Sequence, residues 1–102
     1  MAIMEISIIP LGTGVTSVSQ YVASAVRALE GEAGVKYELT AMGTIVEGDL
    51  DRLLGLARRM HQAVLDAGVM RVVTTIKIDD RRDKASSIDS KVKAVKRRLS
   101  EV

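Results

Sequence analysis

Lys36-Tyr37-Glu38-Leu39-Thr40-Ala41-Met42-Gly43-Thr44-Ile45-Val46-Glu47-Gly48 is the stretch on which the fold of this chain turns. Lys36 to Ala41 reads as one strand and Thr44 to Glu47 as the next. Met42-Gly43 is the connection, with Gly43 able to supply a positive φ where the turn needs one. Two strands so close in sequence pair as an antiparallel hairpin. Gly48-Asp49 stops the second strand, and Asp49 is a good N-cap for a following helix.

Outward from the hairpin, both flanks have the same plan. Downstream, Leu50, Leu53, Leu54, Ala57, Met60, Val64 and Leu65 mark a long amphipathic helix closed by Gly68. Arg71 to Ile78 then alternates, with Val72, Thr74, Ile76 and Ile78 on one face and Val73, Thr75 and Lys77 on the other. Upstream, Val18, Val22, Ala25, Val26 and Leu29 form a one-sided helical stripe, capped by Thr16 or Ser17 and ended by Gly31 and Gly34. Before it, Met4 to Ile9 reads as a strand that Pro10-Leu11-Gly12-Thr13-Gly14 breaks. A last helix starts near Ser87 and carries Ile88, Val92, Val95, Leu99 and Val102 along one seam.

The order is β-α-β-β-α-β plus a C-terminal helix, an α+β chain with the ferredoxin-like, split βαβ arrangement. Two helices are expected on one face of a four-stranded antiparallel sheet. The other face carries Ile3, Glu5, Ser7, Ile9, Thr75 and Lys77, too apolar for plain solvent surface and too polar for a core. Such a face suits a wet subunit interface or a ligand floor. At 102 residues, with no linker, repeat or low-complexity segment, one domain over residues 1–102 is expected.

The chain has no Cys, which removes disulfides, thiol nucleophiles and cysteine-ligated metals from consideration. It has no Phe or Trp and two Tyr, so the core is built from Ile, Val, Leu, Met and Ala. A lone domain of this size buries only about two-thirds of its unfolded surface, which points to subunit association as a further source of core. No apolar run approaches the ~20 residues that span a bilayer. The acid at Glu5 and the lack of a basic lead argue against a secretory signal, so a cytoplasmic address is expected.

Charge is uneven. Residues 1–70 hold five basic and eight acidic side chains, net −3, and residues 71–102 hold ten basic and five acidic, net +5. A basic C-terminal part raises nucleic acid as a partner. The stacking aromatics and the glycine-flanked clamp that such binding uses are missing there, so the reading is a solvated helix face. Asp79, Asp80 and Asp83 are interleaved with Arg81, Arg82 and Lys84, a pattern for an ion-pair network rather than a hard-cation site, and no metal is expected. His61, the single histidine, lies at the edge of the second helix's stripe without a sequence-evident partner, and reads as a packing or rim residue. Gly12-Thr13-Gly14 matches no phosphate-loop pattern. Acylphosphatases share the topology but use an Arg in the loop after the first strand, and Pro10 to Thr16 contains none.

Within the hairpin, Glu47 is a carboxylate set among Ile and Val. It either accepts hydrogen bonds from a cationic or amino-bearing ligand, pairs with a strand Lys or Arg, or caps the following helix. Taken together, Pro10-x-Gly12-Thr13, Ser17-x-Ser19-x-Tyr21-Val22-Ala23, Gly43-Thr44-x-x-Glu47-Gly48, His61, Gly68, Arg71-Val72 and Asp80-Arg81-Arg82-Asp83-Lys84 resemble the MTH1187/YkoF-like family of small thiamine-binding proteins, over nearly the whole chain. The resemblance implies a homotetramer that binds thiamine or its hydroxymethylpyrimidine part without known catalysis, and no cofactor is expected beyond thiamine as a ligand. On that implication Ser17, Ser19, Thr40, Gly43, Thr44 and Glu47 are the expected ligand-binding residues, with Tyr21 and Tyr37 the only possible cation–π faces. The rival readings are a structural or regulatory oligomer that binds no thiamine, and an enzyme with a titrating group opposite Glu47 or His61.

Overall fold

A computed structural model describes residues 1–101. The elements run β1 (Ala2–Leu11), α1 (Ser19–Arg27), β2 (Lys36–Leu39), β3 (Thr44–Gly48), α2 (Leu50–Asp66), β4 (Arg71–Asp79) and α3 (Ile88–Ser100). The four strands form one antiparallel sheet in the order β2-β3-β1-β4. This is the expected α+β order with its third helix.

Alternation along β1 sets the layers. Ala2, Met4, Ile6, Ile8 and Pro10 point under the helices and are buried, whereas Ile3, Glu5 and Ser7 are half-buried on the open face and Ile9 is exposed there. The core joins the buried β1 side chains to Val46 of β3, Ala25 of α1 and Leu29 just after it, and Leu53, Leu56, Ala57, Met60 and Val64 of α2. Twelve buried apolar residues contain no aromatic.

Several boundaries differ from the sequence reading. β1 runs on through Pro10 and Leu11, which pair with Val72 and Arg71. The proline is tolerated because β3 pairs β1 only from Ala2 to Ile6, so beyond Ile6 the strand has one neighbour and behaves as an edge. β2 ends at Leu39, before Ala41, because Thr40 closes the loop. Thr40 Oγ1 donates to the Gly43 carbonyl at 2.7 Å and accepts from the Gly43 amide at 3.2 Å. Gly43 has no positive φ; a Cβ there would lie 3.0 Å from the Ile6 carbonyl oxygen, so close approach to β1 is what requires glycine. The N-cap of α1 is Val18 rather than Thr16 or Ser17, and no side chain caps it. In α2, Leu54 is exposed and Leu56 takes the buried place, since the stripe on the core side runs Leu53, Leu56, Ala57, Met60, Val64.

α3 contributes no buried residue to the core. Ser87 and Ser90 form a reciprocal cap, and Lys91 Nζ reaches Asp79 at 2.7 Å, so the first turn is anchored over the open face. Beyond it the helix leaves the body. Val92, Val95 and Leu99 are 46%, 60% and 78% exposed, so the seam does not cover its own sheet. Val102, the last seam position, lies outside the described residues. The molecule extends 49 × 31 × 21 Å, far from spherical for its length.

Candidate functional site

Small side chains leave the site open. α1 packs chiefly on α2 and touches β1 at few points. Where a Phe or Trp would reach from α1 to the sheet, the helix carries Val22, Ala23 and Val26. The space left is a half-open groove of about 800 Å³ between α1, the Ser7–Ile9 stretch of β1 and the β2–β3 loop. That is within the roughly 300–1,000 Å³ of small-molecule sites. Its walls are largely apolar, from Ile6, Ile8, Val22, Val26, Leu39 and Met60.

Four of the six expected ligand residues line this groove: Ser19, Thr40, Gly43 and Thr44. Their geometry divides their roles. The Thr40 hydroxyl is committed to its own loop, bonding Gly43 twice and accepting from the Met42 amide at 3.3 Å, so it shapes the wall. Thr44 is buried at the turn end of the hairpin, opposite Leu39 and Ile6, and its hydroxyl has no hydrogen-bond partner among the described residues. Ser19 opens α1, and its Oγ lies 3.3 Å from Ser17 Oγ, which places Ser17 just behind the groove rather than on it.

Glu47 is elsewhere. It is cross-strand from Ile3 and Lys36, on the open face, and it is 5% exposed. It borders a separate recess with Met1, Gly34, Val35, Lys36 and Ser87. Neither Tyr21 nor Tyr37 lines the groove: Tyr21 packs against the core and Tyr37 is exposed on β2. Arg27 and Glu30, which the sequence reading did not single out, do line it. A signal for one of them was present. Ser19, Ala23, Val26 and Glu30 follow at helical steps of 4, 3 and 4, a second stripe beside the core stripe.

The remaining candidates are tied up structurally. His61 Nδ1 lies 2.6 Å from Thr74 Oγ1, joining α2 to β4, with no carboxylate in that contact. Arg81 binds Asp83 through two nitrogens, Arg82 Nη2 reaches Asp80 at 2.9 Å, and Lys91 takes Asp79. The Arg81 hydrogen bonds hold the Asp83 carboxyl down at about 2. Glu32 bridges Arg52 and Arg59 at 2.6 and 2.7 Å and is held below its ordinary value, first by the Arg59 hydrogen bond. Among the described residues no group of three or more His, Cys, Asp or Glu is placed to hold a metal, and no helix is long and apolar enough to cross a membrane.

A family model described as thiamine-binding protein matches residues 4–96. The UPF0045 protein YqgV of Bacillus subtilis is 45% identical over 102 residues, covering 97% of this chain and 98% of that one. A UPF0045 protein of Methanothermobacter thermautotrophicus is 49% identical over 100 residues, covering 97% and 100%. The crystal structure of MJ1052 from Methanocaldococcus jannaschii superposes with a TM-score of 0.86 at 45% identity, covering 93% of this chain and 95% of that one.

Proposed function

The chain belongs to the thiamine-binding protein family, and on that premise we propose that it is a non-catalytic binding protein for thiamine or its hydroxymethylpyrimidine part. The observation that carries this reading is the groove: ligand-sized, apolar-walled, with hydroxyls at Thr44 and at Ser19, whose one hydrogen-bond contact among the described residues is Ser17. Thiamine offers an aminopyrimidine that needs hydrogen-bond partners and a thiazolium that carries charge. The apolar walls take the ring faces, and Thr44 and Ser19 bond the ring edges. The carboxylate that faces the thiazolium is Glu30, since Glu47 stands on the other side of the sheet.

Calorimetry with thiamine, its pyrimidine fragment and thiamine phosphates tests this. Saturable binding of thiamine and of the fragment is expected. No heat from any of the three removes the reading.

The protein works, in this proposal, as a homo-oligomer with two-fold symmetry, a tetramer. The support is the α3 seam, where three large apolar residues stand exposed on one face. A second reading, an oligomer that binds no thiamine, is favoured by the same two features: a groove with apolar walls and a helix with an apolar seam are also what a neighbouring subunit would cover. The titration separates the two.

A further inference from the structure

The groove between α1 and the sheet has one cation and one anion in its lining, Arg27 and Glu30, and every other lining residue is uncharged. Both come from the end of α1, and the backbone fixes their spacing. The Glu30 amide donates to the Arg27 carbonyl at 3.2 Å, which closes one more three-residue turn after the helix. In such a turn positions i and i+3 lie one above the other, so the two side chains leave from the same side. They do not neutralise each other. Neither side chain forms an ion pair or a hydrogen bond among the described residues. The next acid, Glu32, does not compete for Arg27, because Arg52 and Arg59 hold it at 2.6 and 2.7 Å. Arg27 and Glu30 are both exposed, so this pair of opposite charges stands at the groove's mouth.

We propose that the groove takes the phosphate monoester of thiamine in preference to thiamine itself, with Arg27 on the phosphate and Glu30 on the thiazolium. The preference rests on the groove being the thiamine site. Free thiamine has a positive ring and no negative group, so it uses Glu30 and meets Arg27 only as a like charge. The monoester carries both signs. Helical neighbours three apart have Cβ atoms about 5–6 Å from each other, and thiamine's two-carbon arm sets a phosphate at a similar distance from the ring. A guanidinium offers two parallel N–H groups to two phosphate oxygens. At the exposed mouth the third oxygen keeps its water, so the phosphate is not stripped of solvent on binding. The pyrimidine then lies deeper, along the apolar walls near Thr44.

The test is calorimetry on the full chain with thiamine, thiamine monophosphate and inorganic phosphate at equal ionic strength. Wild type should bind the monoester at least about fivefold more tightly than thiamine, less than a buried charged hydrogen bond would give because Arg27 is exposed. Arg27→Gln, checked for folding by its melting curve, should bring the two affinities together. Arg27→Lys keeps the charge without the fork and should retain part of the preference. A wild type that binds thiamine and the monoester equally overturns the phosphate preference and leaves the groove as a thiamine site. A preference that survives Arg27→Gln overturns it too, since the phosphate then sits elsewhere. So does inorganic phosphate binding as tightly as the monoester, which would mark a bare anion site. Binding of neither thiamine nor the monoester removes the preference and the thiamine reading together.

Discussion

Thr44 and Glu47 stand three residues apart on β3 and face opposite sides of the sheet, Thr44 into the helix-side groove and Glu47 into the open-face recess. A strand alternates its side chains, so an odd spacing always divides a pair in this way. No ligand the size of thiamine reaches both.

Thr44→Val keeps the β-branched shape and removes one hydroxyl from the groove. A neutral hydrogen bond is worth about 0.5–1.5 kcal/mol, so thiamine affinity should fall roughly two- to tenfold while the melting temperature holds. Calorimetry beside a thermal melt checks both. Unchanged affinity would take Thr44 out of the site.

Gly43→Ala places a methyl 3.0 Å from the Ile6 carbonyl oxygen, a backbone atom that cannot swing aside. The loop must shift, at about 1–3 kcal/mol of stability, and the groove wall shifts with it. Gly12→Ala meets no atom within 4 Å and bears only the strain of its positive φ of 76°. Gly43→Ala should therefore lower both the melting temperature and thiamine affinity, and Gly12→Ala only the former. A Gly43→Ala protein that melts like wild type would show that the approach to β1 is looser than this.

Val95→Asp puts a charge in the middle of the α3 seam. Val95 is 60% exposed in the single chain, so the fold itself should tolerate the change. In an oligomer joined through the seam, the charge would be buried unpaired and would weaken the assembly. Light scattering should give a multimeric mass for wild type and a smaller one for the variant. A monomeric wild type at micromolar concentration would count against assembly altogether.

The element order was legible because it rests on period alone: alternation in Met4 to Ile9 and Arg71 to Ile78, and 3–4 spacing from Val18 to Leu29 and Leu50 to Leu65. The site was legible only in part. Thr40, Gly43 and Thr44 converge because they share one loop, and Ser19 joins them across a gap that the absence of Phe and Trp leaves open. Glu47 was grouped with them by nearness in sequence, although the same alternation that revealed the strand sets it apart. Where α3 goes could not be read, since a seam states what a helix can cover but not what lies within its reach.

Asp83 gives a prediction in acid. Its carboxyl is lowered from 3.8 to about 2 by the Arg81 hydrogen bonds. A lowered folded-state value means that the pair's contribution is present above the unfolded carboxylate range, near 3.9, and is lost as pH falls through about 2. A carbon-detected titration of Asp83 should find its midpoint there, and Arg81→Ala should return it toward 3.8. A wild-type midpoint near 3.8 would show that the turn is open in solution.

From Ser7 to Leu11, β1 is bonded to β4 alone. Along an antiparallel strand, successive amides point alternately to the two sides. Deuterium would therefore enter this stretch in a sawtooth, slow at amides held by β4 and fast at those turned toward the groove, although Ile8 is buried throughout. A molecule settling against that edge would flatten the sawtooth, so the strand's own exchange pattern reports whether the groove is occupied, whatever occupies it.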